Sequence, residues 1–99
     1  MTLSVVFRQQ ARREFDAAGE RYEKERPGLG LEFLGEIDAL LKRIAEHPQQ
    51  FRALYRDVRK AVAKRFPYSV YFRERDRRIV VLAVFHSARN PVEWQRRAG

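Results

Sequence analysis

His47, His86 and a dense set of arginines are the side chains of this 99-residue chain that could do chemistry, because it contains no cysteine. That absence removes disulfides, Cys-containing zinc sites and thiol nucleophiles together. What remains is proton transfer by imidazole and charge stabilisation by guanidinium. Phosphodiester cleavage through a neighbouring hydroxyl uses those parts: a base, a cation at the developing phosphorane charge, and an acid for the leaving oxygen. His47 precedes Pro48 in the last turn of an expected helix, where the dipole favours a histidine, and reads as a cap. His86 follows an apolar run, beside Arg89 and near Trp94, and is the neutral-pH acid/base of the basic half. A satisfied histidine closing a sheet over a terminal helix would look the same, and both readings stand.

Arg59 and Arg65 are odd-numbered residues of one expected strand, with Ala61 and Ala63 between them. Small residues flanked by arginines would form a shallow positive trough, suited to a phosphate backbone or an acidic peptide. The alternative is a solvated edge strand defended against aggregation by its charges. Glu32 and Glu36 stand four apart with no His at ligand spacing, so they read as an exposed helix face and no metal is expected. Gly28-Leu29-Gly30 lacks a following Lys and a third Gly, and reads as a turn and not a phosphate loop. No cofactor is implied. Tyr68, Tyr71, Phe72 and Trp94 could stack bases, but in so small a domain the first three read as core. Trp94 is the exception, since its indole donor favours a partly wet site.

The charge points to a polyanionic or acidic partner. Residues 1–50 carry eight Lys/Arg against nine Asp/Glu, a balance of −1, and residues 51–99 carry thirteen against four, a balance of +9. Their sum is the formal +8 of the chain. Charge kept only for solubility has no reason to segregate, so a positive face is expected. No apolar run approaches the roughly 20 residues that span a bilayer. The N-terminal run is also too short for a signal peptide, and a soluble cytoplasmic protein is expected.

Positioning these residues takes one domain over residues 1–99, of α+β class. Residues 2–7 are β-branched and apolar, an opening strand. Ala11, Phe15, Ala18 and Tyr22 then fall on one helical face, with Arg12, Arg13, Glu14, Asp16, Glu20 and Arg21 on the wet side. Pro27 and Gly28 stop that helix, and Phe33, Leu34, Ile37, Leu40, Leu41 and Ile44 repeat as a second one before Pro48. Strands follow at 58–66, 68–73 and 79–85. The last is continuously apolar and so covered on both faces, and residues 74–78 turn it back as an antiparallel neighbour. Pro91 opens a short terminal helix. The order β-α-α-β-β-β-α predicts a small, mainly antiparallel sheet with a helical hairpin packed on one face. Trp94 and Val92 are expected against the sheet with Arg89, Arg96 and Arg97 outward, so that removing Arg89 and Arg97 together leaves melting nearly unchanged.

This layout resembles the RelE/ParE toxins. The residues that carry the likeness are Ala11, Phe33-Leu34 with Ile37, Pro48, Arg59, the run Arg65-Phe66-Pro67-Tyr68-Ser69-Val70-Tyr71, and the tail His86-Ser87-Ala88-Arg89-Asn90-Pro91-Val92-Glu93-Trp94-Gln95-Arg96-Arg97. The tail and the Arg-Phe-Pro-Tyr run look like the ParE, plasmid-stabilisation branch. The resemblance implies the toxin of a type II toxin–antitoxin system, arresting growth by inhibiting DNA gyrase. It also implies a hetero-oligomer with a cognate antitoxin, which would offer an acidic amphipathic segment. Arg59, Arg65, Arg89, Trp94 and Arg97 would bind target or antitoxin. The runner-up is a RelE-like ribosome-dependent messenger endonuclease using His86, Arg89 and Arg65, and the third reading is a non-toxic nucleic-acid-binding module. Two departures weigh against the nuclease. Ser69 stands where RelE-type nucleases carry an arginine, and Trp94 lies near where a catalytic tyrosine would fall.

Overall fold

The computed structural model describes residues 2–99, so Met1, the first residue of the expected domain, lies outside the described residues. The chain runs β1 (Ser4–Phe7), α1 (Gln9–Glu25), α2 (Leu29–Glu46), a 3-10 turn at Pro48–Gln50, β2 (Arg52–Tyr55), β3 (Val58–Val62), β4 (Tyr68–Arg75), β5 (Arg78–His86) and α3 (Val92–Ala98). The α+β class and the helical hairpin are as the sequence implies. One strand was not anticipated. β2 has four residues and is half-paired at the sheet edge, and Arg-Ala-Leu-Tyr carries no alternation that would mark it.

Helices α1 and α2 pack through small residues. A Cβ on Gly30 would lie 2.6 Å from the Gly19 carbonyl oxygen, so only glycine permits this approach. Gly28 makes the turn with φ +90°. α2 has no side-chain cap of its own at its start. The Glu23 carboxylate, reaching over from α1, accepts the Gly28 and Gly30 N–H groups at 2.9 and 3.0 Å. A carboxylate at a helix N-terminus satisfies orphan donors and the dipole together.

The sheet order is β1-β5-β4-β3-β2, with β1 parallel to β5 and the other pairs antiparallel. A bulge sets Tyr71 opposite Ala83 and Phe72 opposite Val81, leaving Leu82 as the extra residue. The extra residue shifts the alternation of β5. Ile79, Val81 and Val84 pack with the helical hairpin, while Leu82, Ala83 and Phe85 pack with Trp94 and Ala98 of α3. This explains a seven-residue apolar run: both faces of β5 are covered. The β4–β5 turn places Asp76 and Arg77 at φ 53° and 60°, the doubly left-handed geometry of a tight hairpin.

Several expectations are corrected by this packing. β3 ends at Val62, so Arg59 and Arg65 are not on one strand. Ala61 and Ala63 are buried in the hairpin-side core and form no open trough. Trp94 is 2% exposed, stacked on Tyr71 at 4.3 Å, and not partly wet. Val92 points to solvent at 42% exposure, because a seven-residue helix offers the sheet little more than one stripe, taken by Trp94 and Ala98.

Candidate functional site

Glu14 is where α1, the β5 edge and the C-terminal segment meet. It stands three residues after Ala11 and four before Ala18, on the flank of the buried stripe, with only 14% of its side chain exposed. The sequence reading put it on the wet side. A charge set between two buried alanines at helical spacing was the signal that it is not. Its carboxylate accepts Arg89 Nη1 at 2.7 Å, Arg97 Nη1 and Nη2 at 2.9 and 2.8 Å, and the Val84 N–H at 3.1 Å. Arg97 also donates to the Leu82 carbonyl at 3.1 Å.

Arg97 was expected to reach outward and instead turns inward, 13% exposed, because Glu14 and the open edge of β5 are both within its reach. Arg89 is half-exposed, with a second carboxylate from Glu93 at 2.6 Å and its guanidinium 4.0 Å from the Phe85 ring centre. Burial works against the charge on Arg89, but the hydrogen bonds to Glu14 and Glu93 outweigh it and hold the guanidinium above its ordinary value. Neither arginine is a free surface cation, and removing both cannot leave stability untouched. Arg96 is exposed, as expected.

His86 closes β5 beside this cluster, on a cleft of about 480 Å³ whose lining includes Arg21, Tyr22, Tyr68 and Arg89. The His86 ring stands edge-on to Tyr68, 5.1 Å between centres. Its Nδ1 accepts the Ala88 N–H at 3.0 Å. The Nδ1 lone pair is thus engaged by a backbone donor. Arg21 donates to the Tyr68 hydroxyl. Burial, with Tyr68 adding to it, keeps the Tyr22 phenol above its ordinary value and hence protonated.

The remaining residues singled out in the sequence lie elsewhere. Arg65 sits in the β3–β4 connection, bonded to Glu32 of α2 at 2.5 Å. That hydrogen bond, the foremost cause, draws the Glu32 carboxyl below its usual range, and Arg26 adds to it. Glu36 accepts the backbone N–H groups of Lys64 and Arg65. The glutamate pair is thus a clasp on that connection. Arg59 donates to the Phe51 carbonyl at 2.6 Å, and its role is to tie β3 to the turn before β2. His47 stands at the C-terminal cap of α2, its backbone N–H donating to the Arg43 carbonyl. Among the described residues no three His, Asp or Glu side chains converge as a metal site would. No helix there is long and apolar enough to cross a membrane.

Comparison with known proteins places this geometry in a family. Residues 5–91 match the family described as the ParE toxin of the type II toxin–antitoxin system, parDE. A curated relative, Toxin ParE2 of Mycobacterium tuberculosis, is 38% identical over 55 residues, which is 56% of this chain and 52% of the relative. The chain therefore aligns with about half the length of the curated relatives it matches. Among solved structures, the chromosomal ParDE system from P. aeruginosa superimposes with a TM-score of 0.75 at 21% identity, over 86% of this chain and 96% of that one. The toxin–antitoxin complex RelBE2 from Mycobacterium tuberculosis superimposes with a TM-score of 0.61 at 20% identity, over 87% and 99%. At such identities the structural likeness speaks for the fold, and the match over residues 5–91 speaks for membership. The chain belongs to the ParE toxin family of type II toxin–antitoxin systems.

Proposed function

We propose that this protein is a growth-arresting toxin that acts in the cytoplasm by binding DNA gyrase, without chemistry of its own, and that a cognate antitoxin neutralises it in a hetero-oligomer. The observation that carries the reading is that each nuclease candidate is already engaged within the fold. Arg65 is engaged with Glu32 on α2, Arg89 is held between Glu14 and Glu93, and His86 Nδ1 is occupied by a backbone donor. A general base, a cation and an acid would have to be free to meet one phosphate; His86 and Arg89 share a cleft, but Arg65 lies away from it and the Arg89 charge is already answered by carboxylates. Ser69, where the related nucleases carry an arginine, is buried at 5% exposure and offers nothing to a messenger strand.

The second reading is a ribosome-dependent messenger endonuclease, supported by His86 lining the cleft with Arg21 and Tyr68. Two assays separate them. Purified protein should inhibit gyrase supercoiling of plasmid DNA, and primer extension on messenger from translating ribosomes should show no new ends. Codon-positioned cuts that vanish with His86→Ala would reverse the assignment.

A further inference from the structure

Strand alternation sorts the charges of the sheet by face. Lys60 is paired with Tyr71, whose ring stacks on Trp94, and the Lys60 ammonium lies 5.8 Å over that Tyr71 ring. Lys60 therefore stands on the α3 face, and Arg52, its partner in β2, stands there too. Toward the end of β4, Arg73 reaches the Ala98 carbonyl of α3, so Arg75, two residues on, shares that face. Arg78 is directly opposite Arg75. Glu74, between Arg73 and Arg75, turns the other way, toward Leu3 and Ala45 on the hairpin side.

Two pairs of like charge are thus set directly opposite each other on one face, Arg52 with Lys60 and Arg75 with Arg78. Like charges in register destabilise a sheet, and packing does not demand them here, since Arg52, Arg75 and Arg78 are exposed. Asp57 answers Arg75 at 3.2 Å but is shared with Arg73. Among the described residues no carboxylate bridges Arg52, Lys60 or Arg78. An arrangement that weakens the free fold and leaves its cations unanswered calls for an anion. Along β4 the two pairs are separated by the stretch from Tyr71 to Arg75, about 13 Å by strand rise. One small ion cannot serve both, whereas duplex DNA, with a charge every ~1.7 Å of its axis, can. The rings under this face, Tyr71 and Trp94, are 7% and 2% exposed and offer no platform for unpaired bases. That favours a duplex held by its backbone over a single strand.

We propose that the part of the α3 face left uncovered by α3 holds the phosphate backbone of duplex DNA, without reading its sequence. Arg52 and Lys60 take phosphates at one end of the contact, and Arg75 and Arg78 take them at the other. This deepens the gyrase reading and rests on it for its role in the cell, because gyrase works on duplex DNA and the toxin would hold enzyme and substrate together. The contact is made through charge, so it weakens steeply with added salt.

The test is fluorescence anisotropy of a short labelled DNA duplex of arbitrary sequence, titrated with the purified chain at several salt concentrations. Wild type is expected to bind, with log affinity falling linearly in log salt. Arg52→Thr with Arg78→Thr removes one charge from each opposed pair and keeps the strand preference. This variant is expected to bind at least about tenfold more weakly, with a salt slope smaller by about two, one for each lost phosphate contact. Its melting temperature without DNA is expected to hold or rise, because the opposed charges no longer repel. A fall would mark the arginines as structural and overturn the proposal. Lys24→Gln with Lys42→Gln takes the same charge from the exposed side of the hairpin and is expected to leave the affinity within about twofold of wild type. Equal weakening by the two double variants, or no duplex binding by wild type at low salt, overturns the proposal and leaves the toxin reading standing. Tighter binding of single-stranded RNA than of duplex, lost in the threonine variant, assigns the face to a messenger and also overturns it. Duplex binding with no inhibition of supercoiling supports the surface and overturns the gyrase reading alone. Should the threonine double variant fail to fold, Arg52→Thr and Arg78→Thr singly decide by the same measurements.

Discussion

β5 and β3 each run past a shorter neighbour, and the two exposed edges are treated in opposite ways. β1 leaves β5 after Val81, and the groups beyond it are taken by side chains: Glu14 accepts the Val84 N–H and Arg97 donates to the Leu82 carbonyl. β2 leaves β3 after Lys60, and Glu36 caps the connection at Lys64 while Val62 stays open. The first edge is sealed by charged groups mostly out of water, which hold each other in place. The second is left to solvent or to a partner. An edge closed from within is a stability element, since its plugs cannot be withdrawn without stranding one another. An edge left open contributes little to stability, and its worth lies in what it can receive.

The largest effect should come from withdrawing the plug. Glu14→Ala would leave Arg97 without its carboxylate partner, Arg89 with one of its two, and the Val84 N–H without an acceptor. Breaking a buried pair from one side costs about 3 kcal/mol or more. For a domain of this size that lowers the melting temperature by roughly 12–24 °C. A denaturant or thermal melt within a few degrees of wild type would show the β5 edge to be no more dependent on its plug than the β3 edge is.

Within the plug, Arg97 should matter more than Arg89. Arg97→Ala removes a bidentate partner of Glu14 and the donor to Leu82, and should cost about 2 kcal/mol. Arg89 is 36% exposed, so screening reduces its share and Arg89→Ala should cost about 1 kcal/mol. Equal losses in the two melts would mean that the cluster acts through net charge and not through the edge.

How much of this was legible in the sequence follows from range. The helix hairpin was, because Ala11, Phe15 and Ala18, then Phe33, Ile37 and Ile44, repeat within a few residues of one another. The double burial of β5 was legible from an unbroken apolar run. β2 was not, since four residues at an edge need no pattern of their own. Nor was the direction of Arg97, because its partner lies 83 residues away and only the fold brings them together. The supposed Arg59–Arg65 trough failed for a local reason: β3 ends at Val62, and Glu36 of α2 takes the Lys64 and Arg65 N–H groups. Candidate residues were found by type, while their accessibility was a property of packing.

Acid should probe the fastening of α3 next to the sealed edge. Arg73 is buried and donates to the Ala98 carbonyl at 2.7 Å, and Asp57 holds Arg73 and Arg75 at 2.9 and 3.2 Å. Partial burial opposes the charge on Asp57, but Arg73 first and Arg75 after it outweigh that and pull its carboxyl below the usual value. A depressed folded-state value means the stabilisation is complete above the ordinary aspartate pKa, about 4, and is lost as pH falls through the lower folded value. Stability measured from pH 5 down to pH 2.5 should therefore fall more steeply in wild type than in Asp57→Asn. Parallel curves would remove Asp57 from the fastening of α3.

The smallest expected change is at the open edge. Val62→Thr keeps the branched shape and the strand preference, and at 62% exposure it surrenders little buried area. The free protein should change by less than about 0.5 kcal/mol, the usual range for an exposed position without a partner. The same substitution puts a hydroxyl where a docked strand would bury an apolar group, so a complex using this edge should weaken by a few-fold while the free chain melts unchanged. A hydroxyl in a dry contact must find a partner or lose its hydration, whereas in water it keeps both options. That difference between free and bound is what a docking edge predicts and a merely solvated one does not. Loss of more than about 1 kcal/mol in the free protein would instead show Val62 to be packed, and the contrast between the two edges would be one of degree.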